Sequence, residues 1–135
     1  MSITIDWLGT ATFRLVIDDL VIFLDAYMDR VAAAPKVGLS ASQVDKADFV
    51  IVGHSHFDHI AGAETIAANT GAVVIGSNET ARVLLEEQIS SEQLKVAQGG
   101  ERYRLSDSVT MRVFPSLHAC IWIPDTGQVQ TDESK

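Results

Sequence analysis

Residues 48–59 read Asp-Phe-Val-Ile-Val-Gly-His-Ser-His-Phe-Asp-His. An apolar run of strand length ends in a glycine and passes at once into three histidines and an aspartate. An unbroken apolar run suits a strand covered on both faces, which is the habit of parallel strands in α/β sheets. Such sheets place their functional groups at the C-terminal ends of the strands. One segment therefore predicts both a layer arrangement and the position of a site within it.

The flanking sequence agrees. Ile3, Ile5 and Trp7 alternate with Thr4 and Asp6, and Phe13, Leu15 and Ile17 repeat the pattern across the Gly9-Thr10 turn. Asp18-Asp19 marks a tight turn into the apolar run Leu20 to Leu24. These three strands read as an antiparallel meander. The segment from Asp25 to Val44 reads as a long loop with a weak helix over 40–46. Loops of that length in small domains tend to carry function. After the histidine block, a helix over 60–69, a strand over 72–75 and a helix over 78–88 follow. Ser77 or Asn78 would cap the last. Strand, helix, strand, helix implies parallel crossovers. A hairpin over 102–105 and 109–114 closes the pattern, and the tail from Asp125 shows no periodicity. The expected fold class is α/β (α+β by some schemes): a mixed β-sheet with flanking helices, in one domain over residues 1–135.

The histidines have a physical reading. In extended backbone His54 and His56 are two apart and point to one side. Asp58 and His59 fall where the chain turns into the next helix and can face a nearby point. Imidazole and carboxylate suit zinc, and equally manganese or iron. Gly53 would let the backbone leave the strand sharply. A His-rich surface tract is the bland alternative, but the block is not repetitive and follows a strand directly.

His54-x-His56-x-Asp58-His59 resembles the defining motif of the metallo-β-lactamase-fold hydrolases. Trp7-Leu8-Gly9-Thr10-Ala11-Thr12-Phe13 and Ile22-Phe23-Leu24-Asp25 resemble the start of the lactonase-like branch of those enzymes. The resemblance implies an αβ/βα sandwich of which this chain covers the first half, with a truncated end. It implies that His54, His56 and His118 hold a first metal, that Asp58 and His59 serve a second, and that Asp25 supports a ligand from behind. Asp58 would also orient the nucleophile as the catalytic carboxylate. The implied activity is hydrolysis of an ester, lactone or phosphoester-type small molecule by a metal-bound hydroxide, with one or two zinc ions. Two alternatives stand beside it: a non-catalytic metal-binding remnant, and a di-iron redox protein on the same scaffold. His56 stands where di-iron members carry an acidic residue and argues against the second. Half a sandwich further implies an exposed apolar sheet face, covered by a second copy or by the missing C-terminal half.

Composition narrows the partners. Ten basic against eighteen acidic residues give a formal charge of −8, which disfavours gripping nucleic acid by bulk electrostatics. No apolar run has the length of a membrane span, and residues 1–6 show no signal-peptide pattern. One cysteine, Cys120, excludes an internal disulfide; it and both tryptophans read as packing residues. The expectation is a cytoplasmic protein acting on a small-molecule substrate.

Overall fold

The computed structural model describes residues 2–117, 121–123 and 128–130. Strands β1 (Ile3–Trp7), β2 (Phe13–Ile17) and β3 (Leu20–Leu24) form the antiparallel meander. Strands β4 (Phe49–Ile51), β5 (Val73–Gly76) and β6 (Leu94–Val96) then add in parallel. The result is a six-stranded mixed sheet in the order β1-β2-β3-β4-β5-β6.

The register sorts the side chains onto two faces. Ile5, Leu15, Ile22, Phe49 and Val73 lie across from one another on one face. Val21, Phe23, Val50 and Val74 occupy the other, because side chains alternate along each strand. Helices α2 (Ala63–Thr70) and α3 (Asn78–Glu86) cover the second face with Ala63, Ile66, Ala67 and Leu84. Phe23, Val50 and Ile66 are fully buried there, and each such side chain contributes about 1.5–3 kcal/mol of burial. Among the described residues the first face is covered at one end. Strands β7 (Arg102–Arg104) and β8 (Thr110–Arg112) form a hairpin. Tyr103, Leu105 and Met111 from this region pack over Ile22, Ile75 and Ile51. At the β1 end Ile3, Ile5 and Trp7 remain 53%, 63% and 68% exposed, so of the core or rim packing expected of Trp7 the core is excluded.

Local chemistry fixes the ends. Ser77 caps α3 by accepting a hydrogen bond of 3.1 Å from the Thr80 N–H. The helix expected over 60–69 is two pieces, the single turn α1 (Phe57–Ile60) and α2. The break is Gly62, with φ 118°. A Cβ there would stand 2.8 Å from the Ala26 carbonyl oxygen. Ala61 meanwhile accepts hydrogen bonds from the N–H groups of Met28 and Asp29. The close passage of the 25–44 loop, a long-range contact, thus interrupts the helix. Within that loop the helix expected over 40–46 is only a 3-10 turn, Ala41–Gln43. The tail, unpatterned in sequence, contains strand β10 (Gln128–Gln130) paired antiparallel with β9 (Ile121–Ile123). No helix among the described residues is long and apolar enough to cross a membrane.

Candidate metal centre

The site begins where β4 ends. Val52 and the strand are anchored in the core, and Val52 donates to the Ile75 carbonyl at 2.9 Å. The chain then runs through Gly53 to His54 and His56, and α1 carries Asp58 and His59. The rings of His54 and His56 meet edge to face with centroids 4.8 Å apart, as their spacing in extended backbone implies. One ligand atom from each of His54, His56 and Asp58 fits within 4.8 Å of the others, and all three residues are half-buried. This donor set, two imidazoles and a carboxylate converging at the surface of a packed strand end, fits a divalent cation.

His59 stands beside this trio rather than inside it. Its ring lies 3.9 Å from that of His54, and its Nε2 is 3.7 Å from an Asp58 oxygen. Its Nδ1 is buried and lies 3.1 Å from the Asp25 carboxylate. That contact is off the direction of an aligned hydrogen bond, and among the described residues Nδ1 has no hydrogen-bond partner. A buried ring nitrogen against a carboxylate is the arrangement that orients a metal-binding histidine from behind.

Asp25 is itself held tightly. It adopts φ 47°, a left-handed conformation uncommon for a residue with a Cβ. Its Oδ1 accepts from the Gly53 N–H at 2.7 Å. Thr12, completely buried, donates its hydroxyl to the Asp25 carbonyl and accepts from the Tyr27 N–H at 3.1 Å. The sequence reading gives Thr12 no role. A buried threonine at a strand start has no local signature, and its partners are 13 and 15 residues away. Gly53 serves differently from the expectation. Its φ is not in the left-handed region; a Cβ there would press within 3.3 Å of both Asp25 oxygens. Its smallness lets the carboxylate reach the backbone.

Further out, the Phe57 ring meets the edge of buried Tyr27 at 5.8 Å, and the Arg30 guanidinium lies 4.7 Å over the Tyr27 ring. The loop after β3 is thereby folded against α1. His118, and with it Cys120, lies outside the described residues.

Residues 21–134 match the Beta-lactamase superfamily domain. A UPF0173 metal-dependent hydrolase of Caldivirga maquilingensis is 28% identical over 113 residues, which are 84% of this chain and 48% of that protein. One from Methanopyrus kandleri is 38% identical over 77 residues, 57% of this chain and 32% of that protein. The chain thus spans about half the length of the first of these relatives and a third of the second. Among solved structures, a metallo hydrolase from Ignicoccus hospitalis aligns with a TM-score of 0.68 at 21% identity, over 86% of this chain and 49% of that one. The chemotaxis sensor ODP, solved as a peroxy diiron species, aligns with a TM-score of 0.58 at 20% identity, over 82% of this chain and 48% of that one. These structural likenesses concern the fold, a mixed sheet flanked by helices. The chain belongs to the beta-lactamase superfamily.

Proposed function

We propose that this chain carries the primary metal site of a hydrolase acting on an ester, lactone or phosphoester-type small molecule. The observation that supports the reading is the convergence of His54, His56 and Asp58 within 4.8 Å. Zinc suits the donors, with manganese or iron as substitutes. His54 and His56 would hold a first ion together with His118, and Asp58 and His59 a second. A divalent cation in such a site supplies Lewis acidity and a water acidic enough to ionise near neutral pH.

The chain's own groups have distinct tasks. The Asp58 carboxylate accepts a hydrogen bond from the attacking water and fixes its direction. The His59 imidazole is oriented by Asp25 through Nδ1, which leaves Nε2 on the Asp58 side. Thr12 and Gly53 hold Asp25 in place. The α1 turn, with Phe57 against Tyr27, forms one flank of the site. The open sheet stretch at Ile3, Ile5 and Trp7 is covered in the working protein by a second layer, from a longer parent chain or from a second copy. A cytoplasmic location is part of the same reading.

The test is hydrolysis by the chain stripped with chelator and reloaded with zinc, manganese or iron. Phenyl acetate, a γ-lactone and bis(4-nitrophenyl) phosphate serve as probes. Metal-dependent turnover of at least one probe, lost in Asp58→Asn, is expected. Tight metal uptake with no turnover of any probe would favour the non-catalytic remnant instead.

A further inference from the structure

The two edges of the six-stranded sheet are guarded differently. At one edge β6 has only three residues, Leu94–Val96, and carries Lys95 at its centre. The Tyr103 hydroxyl also donates to the Val96 carbonyl there. At the other edge β1 has five residues, Ile3–Trp7, with neither lysine nor proline among them. Natural sheets block an exposed edge with such residues, with bulges or by keeping it short, because its N–H and C=O groups recruit another strand. β1 pairs with β2 residue against residue, without a bulge. Among the described residues no strand lies beyond it in the sheet.

The hydrogen bonds at the two ends of β1 show which way its backbone faces. The Ser2 carbonyl accepts from the Asp18 N–H, and the Leu8 N–H donates to the Thr12 carbonyl, both at 2.9 Å. Both bonds run toward β2, in step with Thr4 opposite Val16 and Asp6 opposite Arg14. Backbone groups alternate sides along an antiparallel strand. The N–H and C=O groups of Ile3, Ile5 and Trp7 therefore point outward from the sheet. The same three residues carry exposed apolar side chains. Asp6, the one charged residue of β1, is held by the Arg14 Nη2 at 2.8 Å.

We propose that β1 pairs antiparallel with β1 of a second copy of this chain, about a two-fold axis at Ile5 normal to the sheet. In that register Ile5 faces Ile5, Ile3 faces Trp7, and each outward N–H meets an outward C=O. Thr4 stands opposite Asp6, a hydroxyl beside a carboxylate. The neighbouring registers fit less well. A two-fold at Asp6 sets that carboxylate against its own copy, and one at Thr4 carries Trp7 past the end of the strand. The axis at Ile5 keeps Ile3, Ile5 and Trp7 of both copies on one face, so the same patch serves both. A layer laid on that face by a longer parent chain leaves the outward backbone groups to water and does not replace a strand. An edge of this length makes less than a standard interface. The pair therefore forms at high concentration, and the dilute chain is a monomer.

Two experiments test the pairing. Sedimentation velocity from micromolar to near-millimolar chain should show a monomer passing to a dimer. Ile5→Pro removes an N–H that β2 does not use, a change that an edge strand tolerates. It should weaken association by roughly tenfold or more, since each copy loses a donor and leaves a carbonyl unmet. Ile5→Ala keeps the N–H and should weaken it less, and far-UV circular dichroism of both variants should match the parent. The second experiment is cysteine cross-linking in a Cys120→Ser background, which removes the chain's one other thiol. Ile5→Cys should link to itself on mild oxidation. Ile3→Cys and Trp7→Cys should each link to themselves at least roughly tenfold more slowly, because like positions then lie about 13 Å apart along the strands, beyond the reach of a disulfide. Mixed together, those two variants should link to each other. Should proline disturb the fold, the cross-linking pattern decides alone. A chain that stays monomeric throughout, association unchanged in a folded Ile5→Pro, or Ile3→Cys linking to itself as readily as Ile5→Cys would overturn the edge pairing.

Discussion

The two faces of the central sheet have similar alternating apolar sequence and meet different surroundings. On the helix-covered face, Phe23 and Val50 are wholly excluded from water. On the other, burial grades from Ile75 at 1% under the β7–β8 hairpin to Trp7 at 68% on β1. Alternation says only that a face is apolar; what covers it decides whether it is core. The metal-type cluster grows from β4, which lies between β3 and β5 with Val50 and the following Val52 buried. The β1 end has the opposite character, an apolar surface that a monomer exposes.

The comparison breaks first by substitution on each face. Phe23→Ala should cost about 3–5 kcal/mol, the usual loss for a large buried aromatic. Ile5→Ala on the open end should stay within roughly 0.5 kcal/mol, as exposed positions do. Urea denaturation of both variants measures the difference, and comparable losses would mean that the open end is buried in solution. The next effect in size is at the α3 cap. Ser77→Ala removes the acceptor of the Thr80 N–H and should cost about 1 kcal/mol, read from the same curves.

Ile5→Thr combined with Trp7→Gln sharpens the contrast without touching the core. Light scattering should show less self-association, and the denaturation midpoint should barely move. The smallest effect is electrostatic. The Glu101 carboxylate accepts from the N–H groups of Gln98 at 2.9 Å and Gly99 at 2.7 Å. These bonds hold its pKa below the ordinary 4.5. A depressed native pKa means that the unfolded chain takes up protons first as pH falls. The stabilisation is thus full above that ordinary value and lost as pH drops through the native one. Glu101→Gln should be slightly less stable than the parent at pH 7, with the gap closing in acid, as paired pH titrations of stability would record.

Much of this was legible in the sequence because it is local. The parallel strand running into His54, the shared side of His54 and His56, the meander turns and the Ser77 cap all follow from neighbours a few residues apart. The remainder depends on contacts distant in the chain. Gly62 breaks a helix because Ala26 passes beside it; Gly53 is needed for its approach to Asp25. Thr12 clamps Asp25 across a strand and a hairpin. The exposure of Ile3, Ile5 and Trp7 follows from where the β7–β8 hairpin stops, which alternation cannot reveal.

The most direct test of the metal centre is the metal content of the purified chain after dialysis against metal-free buffer, by plasma mass spectrometry. His54→Ala and Asp58→Ala serve as controls whose far-UV circular dichroism matches the parent. At least one equivalent of zinc, manganese or iron per chain is expected, falling well below stoichiometry in His54→Ala and falling below the parent in Asp58→Ala. A parent chain that retains no metal, or a His54→Ala variant that retains as much as the parent, would contradict a metal centre built on the histidine block.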